Sequence, residues 1–212
     1  MKFFITGTDT DIGKTLISCW LTMHSNFGYF KPIQTGIEQD SDCGVIQKYS
    51  SAKIYPEIYR YKAPLSPHLA ASLENQEIDL NKISLPEAEN LIIEGAGGVL
   101  VPINKKYYMI DLIKKLNIPA IIVARSALGT INHSLLTIEA LRARNIPIAG
   151  VILNGEIDED NKKAIEFYGK INVLAQFPLL RSISKKDLLN IPLTQKLKLL
   201  FDKGKYEHYT TR

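Results

Sequence analysis

Short apolar runs alternate along this chain with segments whose apolar residues recur at helical spacing. The runs at 3–6, 29–31, 91–94, 120–124, 148–153 and 173–175 are rich in Ile, Val, Leu and Phe and lie between Gly, Asn and Pro, the signature of buried strands. Helical spacing covers 14 to about 24, 42–49, 109–116, 132–144 and 160–168. This alternation predicts an α/β fold, a mostly parallel sheet with helices on both faces. Sheets of that kind gather ligands at the carboxyl ends of their strands, so the residues that close each run are the ones to read for chemistry. The segment 77–90 is the least regular, with Pro86 breaking any long helix. A short basic amphipathic stretch at 193–201 is expected to dock on the chain's own core, since so small a basic segment has little affinity for a membrane surface.

The 212 residues, 45% apolar and 23% charged, suffice for one well-buried core and predict a single domain. No stretch approaches the roughly 20 apolar residues of a membrane-spanning helix. The chain enters a strand at Lys2 without a charged leader and cleavage site, so a cytoplasmic location is expected, with no membrane partner. The net charge of +4 comes from 26 basic residues scattered among 22 acidic ones, a pattern that suits phosphate-bearing ligands and does not call for nucleic acid. Cys19 and Cys43 are expected to be reduced. His24, His68, His133 and His208 share no ligand spacing with them, which argues against zinc and leaves a hard cation open.

The strongest local signal is Gly7-Thr8-Asp9-Thr10-Asp11-Ile12-Gly13-Lys14-Thr15, directly after the first strand and before a helix. In that context Gly13 lets backbone N–H groups approach phosphate oxygens, and the helix start adds its positive dipole end. Lys14 supplies charge, and the Thr15 hydroxyl can ligate magnesium. Five residues separate the two glycines where the strict pattern has four, so this is a variant P-loop. Magnesium also takes one or two carboxylates. Glu94 closes the run 91–93 ahead of Gly95-Ala96-Gly97-Gly98, and a carboxylate ending a buried strand is costly unless paired or metal-bound. Asp42 is a second candidate, although aspartate at a helix start is also a common cap. Lys31, in Lys31-Pro32-Ile33-Gln34-Thr35-Gly36, closes the second run; it is either solvated or turned with Lys14 toward one γ-phosphate. Before the helix at 132, Leu128-Gly129-Thr130-Ile131-Asn132-His133 offers N–H groups to a carboxylate, unless Thr130 or Asn132 simply caps them.

Taken together with Ser66-Pro67-His68 and Asn154, these motifs closely resemble the dethiobiotin synthetase family, in order, from residue 3 to about 178. The resemblance implies ATP- and Mg2+-dependent carboxylation of 7,8-diaminopelargonic acid with CO2, closing the ureido ring through a carbamate and a carbamic-phosphoric anhydride. It assigns catalysis to Lys31 and Lys14, and metal ligation to Thr15, Asp42 and Glu94. Nucleotide contacts fall on Asp11, Ile12, Gly13, Lys14, Thr15, Leu16, Asp42, Glu94, Gly95, Ala96, Gly97, Asn154, Gly155 and Gln176. Thr10, Thr35, Gly129, Thr130, Ile131 and Asn132 match substrate positions, the last four across a homodimer interface. Gln176 stands where family members carry glutamate, and Gly155 follows the base-contacting Asn154. The competing class is a nucleotide switch related to partitioning ATPases, which carry a lysine early in the loop. The equivalent position here is Asp9.

Overall fold

In the computed structural model, which describes residues 1–37, 41–180 and 182–202, the chain builds a parallel sheet around its first strand. β1 (Lys2–Gly7) leads into α1 (Lys14–Met23), and β2 (Gly28–Phe30) follows. The main-chain path then leaves the sheet at Lys31-Pro32, because Pro32 has no N–H to continue a ladder while its carbonyl accepts from Ile58 and Tyr59 N–H. β3 (Ile33–Thr35), α2 (Asp42–Tyr49), β4 (Ile54–Tyr55), β5 (Tyr59–Tyr61) and α3 (Pro67–Leu73) form the next stretch. The 77–90 segment holds only a single 3-10 turn, Leu80–Lys82. β6 (Leu91–Gly98), α4 (Met109–Leu116), β7 (Ala120–Ser126), α5 (Thr130–Arg142), β8 (Ile148–Gly155), α6 (Glu159–Gly169), β9 (Val173–Pro178), α7 (Lys185–Leu189) and α8 (Gln195–Asp202) complete the order.

Among the described residues the main sheet has seven strands in the order β4-β2-β6-β1-β7-β8-β9, every neighbouring pair parallel. β3 and β5 pair separately, Ile33 opposite Tyr59. The apolar runs are continuous because both faces are covered, and alternate residues serve opposite layers. Phe4, Ile93, Ile122 and Leu153 pack with Met109 and Ile113 of α4, Ile138 of α5 and Ile165 of α6. Phe3, Ile5, Ile92 and Val123 face the other way, toward Ile17 and Trp20 of α1, Ile46 of α2, Leu188 of α7 and Leu197 of α8. The indole N–H of buried Trp20 donates to the Ile191 carbonyl at 2.7 Å, so that ring carries no unpaired donor into the core.

The amphipathic stretch near the C-terminus does dock on this core. Leu197 is fully buried, and the Phe201 ring lies 5.7 Å from that of Phe3 and 4.9 Å from that of Phe27. Leu197→Ala is expected to destabilise the chain by about 2–4 kcal/mol through the cavity it leaves. Denaturant unfolding checks this, and a change below about 0.5 kcal/mol would mean that α8 contributes nothing to the fold.

Two sequence expectations shift at their edges. The strand read at 91–94 continues through the glycines as β6 to Gly98, which pairs with Gly7 beyond a register shift in β1. The helix expected from 132 begins at Thr130. The elements β3, β4, β5, α3 and α7 span seven residues or fewer each, too few for their periodicity to be read.

Candidate active site

Three adjacent strand ends, those of β1, β2 and β6, bring the candidate residues to one edge of the sheet. At β1 the chain turns through Thr8 to Gly13, anchored where Thr8 N–H donates to the Val123 carbonyl at 3.0 Å. Gly13 has φ +88°, a left-handed conformation that favours glycine, and a Cβ there would overlap the side-chain amide of Asn154. That amide donates to the Ile12 carbonyl at 2.8 Å, so Asn154 fastens the loop from β8. α1 then starts with no side-chain cap and no acidic residue in its first turn, leaving its N–H groups and positive dipole end facing the loop. Lys14 Nζ donates to the Asp9 carbonyl at 3.0 Å. Burial holds the Lys14 pKa below its usual value, with Glu94 opposing the shift and the charge of Lys31 adding to it.

At the second residue of the helix, Thr15 Oγ1 meets two carboxylates. It lies in hydrogen-bond contact with Asp42 Oδ1 and 2.8 Å from Glu94 Oε1. Lys31 Nζ bridges the same pair, 2.6 Å from Asp42 Oδ2 and 3.1 Å from Glu94 Oε1. Burial alone would push the Lys31 pKa down, but Glu94 and Asp42 overturn that and hold it above the ordinary lysine range. For Asp42 burial works upward, and the Lys31 charge with its hydrogen bond holds the carboxyl below the usual carboxylate range. The Asp42 carboxylate is free for this role because Ser41, not Asp42, caps α2, its hydroxyl accepting from Gly44 N–H at 3.1 Å.

This donor set fits a hard divalent cation. A hydroxyl has one proton to give, and two carboxylate oxygens compete for that of Thr15, so one close oxygen pair has no hydrogen between its members. One hydroxyl and two carboxylates, with waters completing the shell, is the oxygen-rich arrangement that Mg2+ accepts.

The remaining candidates distribute unevenly. Asp11, with φ +54°, and Ile12 lie in the loop itself, and Leu16 follows Thr15 in α1. Gly95 runs against the Phe4 ring, where a Cβ would come within 2.7 Å. Ala96 follows it in β6, and Gly97, at φ +67°, faces Thr10 across the loop. Thr35 ends β3, its carbonyl accepting from Gln34 Nε2 at 2.7 Å. Gly155, after Asn154, lies against Ser126 of β7. Gln176 is taken up with α6: Oε1 accepts from Asp158 N–H at 2.9 Å and Nε2 donates to Glu159 Oε1 at 2.6 Å. Around Gly129, Thr130, Ile131 and Asn132 no side chain caps α5, and Thr130 Oγ1 is buried without a partner. Simple capping is therefore not what these residues do, and no hydrogen bond among the described residues joins them to the carboxylate cluster.

Three further residues in this neighbourhood have no role assigned from the sequence. Tyr29 donates from its phenol to Glu94 Oε2 at 3.0 Å, Gln34 Oε1 accepts from Asp42 N–H at 3.3 Å, and Arg125 reaches from β7 to the Asp11 carbonyl at 3.5 Å. A tyrosine inside an apolar run reads as core, and only the pairing of β2 with β6 shows what its hydroxyl meets.

A family model described as an AAA domain matches residues 1–187. The ATP-dependent dethiobiotin synthetase BioD of Lawsonia intracellularis (strain PHE/MN1-00) is 55% identical over 201 residues, covering 95% of this chain and 99% of that protein. Its namesake from Paramagnetospirillum magneticum (strain ATCC 700264 / AMB-1) is 45% identical over 191 residues, covering 89% of this chain and 93% of the relative. Among solved structures, HypB from Helicobacter pylori in complex with nickel aligns with a TM-score of 0.50 at 16% identity, over 94% of this chain and 85% of that one, a likeness of fold alone. Because relatives this similar cover nearly all of the chain, and it covers nearly all of them, the chain belongs to the ATP-dependent dethiobiotin synthetase family.

Proposed function

We propose that this chain closes the ureido ring of dethiobiotin from 7,8-diaminopelargonic acid, CO2 and ATP, releasing ADP and phosphate in the cytoplasm. One observation carries the reading: Lys31 and Thr15, from separate elements, meet on the same two carboxylates beside the P-loop. Thr15, Asp42 and Glu94 would hold Mg2+. Bound there, the metal supplies positive charge to the phosphate oxygens during transfer.

In the reaction, one substrate amine adds to CO2 and loses a proton, giving a carbamate. A carbamate oxygen attacks the γ-phosphorus, the bond to the β-γ bridging oxygen breaks, and ADP leaves. The second amine then attacks the carbon of the mixed anhydride, phosphate departs with the C–O electron pair, and loss of a proton leaves the cyclic urea. The N–H groups of the Gly13 loop and of the first turn of α1, with Lys14, bind and orient the phosphates. Lys31 neutralises the carbamate and the phosphoryl group as charge shifts between them. Thr10 and Thr35 orient the amines and the carbamate, and the helix start from Gly129 to Asn132 receives the substrate carboxylate across a homodimer interface. Asn154, Gly155 and Gln176 border the nucleotide.

Incubation with ATP, Mg2+, bicarbonate and diaminopelargonate, followed by mass analysis, should yield the cyclic urea in amounts equal to the phosphate released. ATP turnover that ignores diaminopelargonate would overturn the reading.

A further inference from the structure

Glu94 is held on both of its oxygens, by donors of different character. Oε1 faces Thr15 Oγ1 and the Lys31 ammonium, whereas Oε2 turns away from them and accepts from the Tyr29 phenol at 3.0 Å. Register explains the contact. Tyr29 pairs with Ile92, and Glu94 lies two residues farther along β6 on the same face, so the ring reaches diagonally across the strands to the carboxylate. Tyr29 and Glu94 are 0% and 1% exposed, so no bulk water competes for that oxygen.

The phenol engages Oε2 and fixes the orientation of the carboxylate, which favours ligation of a cation through Oε1 over chelation through both oxygens. That distinction separates the two common hard divalent ions. Mg2+ demands near-ideal octahedral geometry with short bonds, whereas Ca2+ accepts more ligands and takes carboxylates through both oxygens. We propose that Tyr29 is a positioning residue that sets metal specificity, tying down Glu94 Oε2 so that Glu94 ligates through Oε1 alone and the site favours Mg2+ over Ca2+. This rests on the assignment of Thr15, Asp42 and Glu94 as the metal ligands.

The test uses the whole chain and requires no turnover. A ligand that binds only the native state raises the unfolding midpoint according to its concentration relative to Kd. Thermal unfolding with ADP, titrated with Mg2+ or with Ca2+, therefore gives an apparent affinity for each metal. The wild-type chain should prefer Mg2+. In Tyr29→Phe, which keeps the buried ring, the ratio of the two affinities should fall by about tenfold, the lower end of what loss of a hydrogen bond behind a metal ligand costs. A merely structural role for Tyr29 would lower the metal-free midpoint and leave the ratio unchanged, and an unchanged ratio overturns the proposal. So does a wild-type chain that takes Ca2+ as readily as Mg2+, a result that needs no variant. Stabilisation by ADP without dependence on either metal would instead remove the ligand assignment itself, and the role of Tyr29 with it.

Discussion

Lys31→Ala should lower formation of the cyclic urea by at least about a thousandfold while Mg·ADP still raises the unfolding midpoint. The magnitude follows from removing one fixed charge aimed at a transition state in a water-poor site, an effect of roughly two to three orders, to which loss of carbamate binding adds. Nucleotide binding survives because the loop N–H groups, the start of α1 and Lys14 are all on a different strand end from Lys31. The same change takes the cation from between Asp42 and Glu94, both of which it contacts within 3.1 Å. Breaking so buried an ion pair should cost the metal-free protein about 3 kcal/mol, measurable by denaturant unfolding. Product formation at the wild-type rate would remove Lys31 from the chemistry, and loss of nucleotide binding would place it among the phosphate-holding groups instead.

Gly13→Ala is expected to weaken Mg·ADP binding by about a hundredfold with little effect on the core. Any residue with a Cβ pays about 1–2 kcal/mol to stay left-handed at φ +88°. The added methyl also displaces the Asn154 amide, so its hydrogen bond to the Ile12 carbonyl is lost, at about 1 kcal/mol more. Together these approach the roughly 3 kcal/mol that a hundredfold change represents. Calorimetric titration measures it directly. Asn154→Ala, which removes the fastening and leaves Gly13 intact, should show only the smaller part; equal losses in the two variants would mean that backbone strain at Gly13 is unimportant.

The parallel sheet and its two helical layers were legible in the chain because burial on both faces forces long apolar runs, and those at 91–94, 120–124 and 148–153 could be read without knowing any partner. The loop from Gly7 to Thr15 was legible for a similar reason: its chemistry is local, a turn feeding a helix whose first residues do the binding. Lys31 and Glu94 were recognisable as strand-end charges, but whether they met could not be read from residues that stand 63 apart. Pro32 decides part of this, since it ends β2 and leaves Lys31 at the sheet edge.

Local pattern therefore determined the class of fold, the phosphate loop and the short list of charged residues worth attention, because periodicity, glycine and helix starts act over a few neighbouring positions. Tertiary structure alone decided that Ser41 takes the cap and frees Asp42, that Asn154 braces the loop, and that a buried tyrosine holds the far oxygen of Glu94. Those outcomes depend on which strands lie side by side and in what register, and register is set by packing summed over the whole sheet.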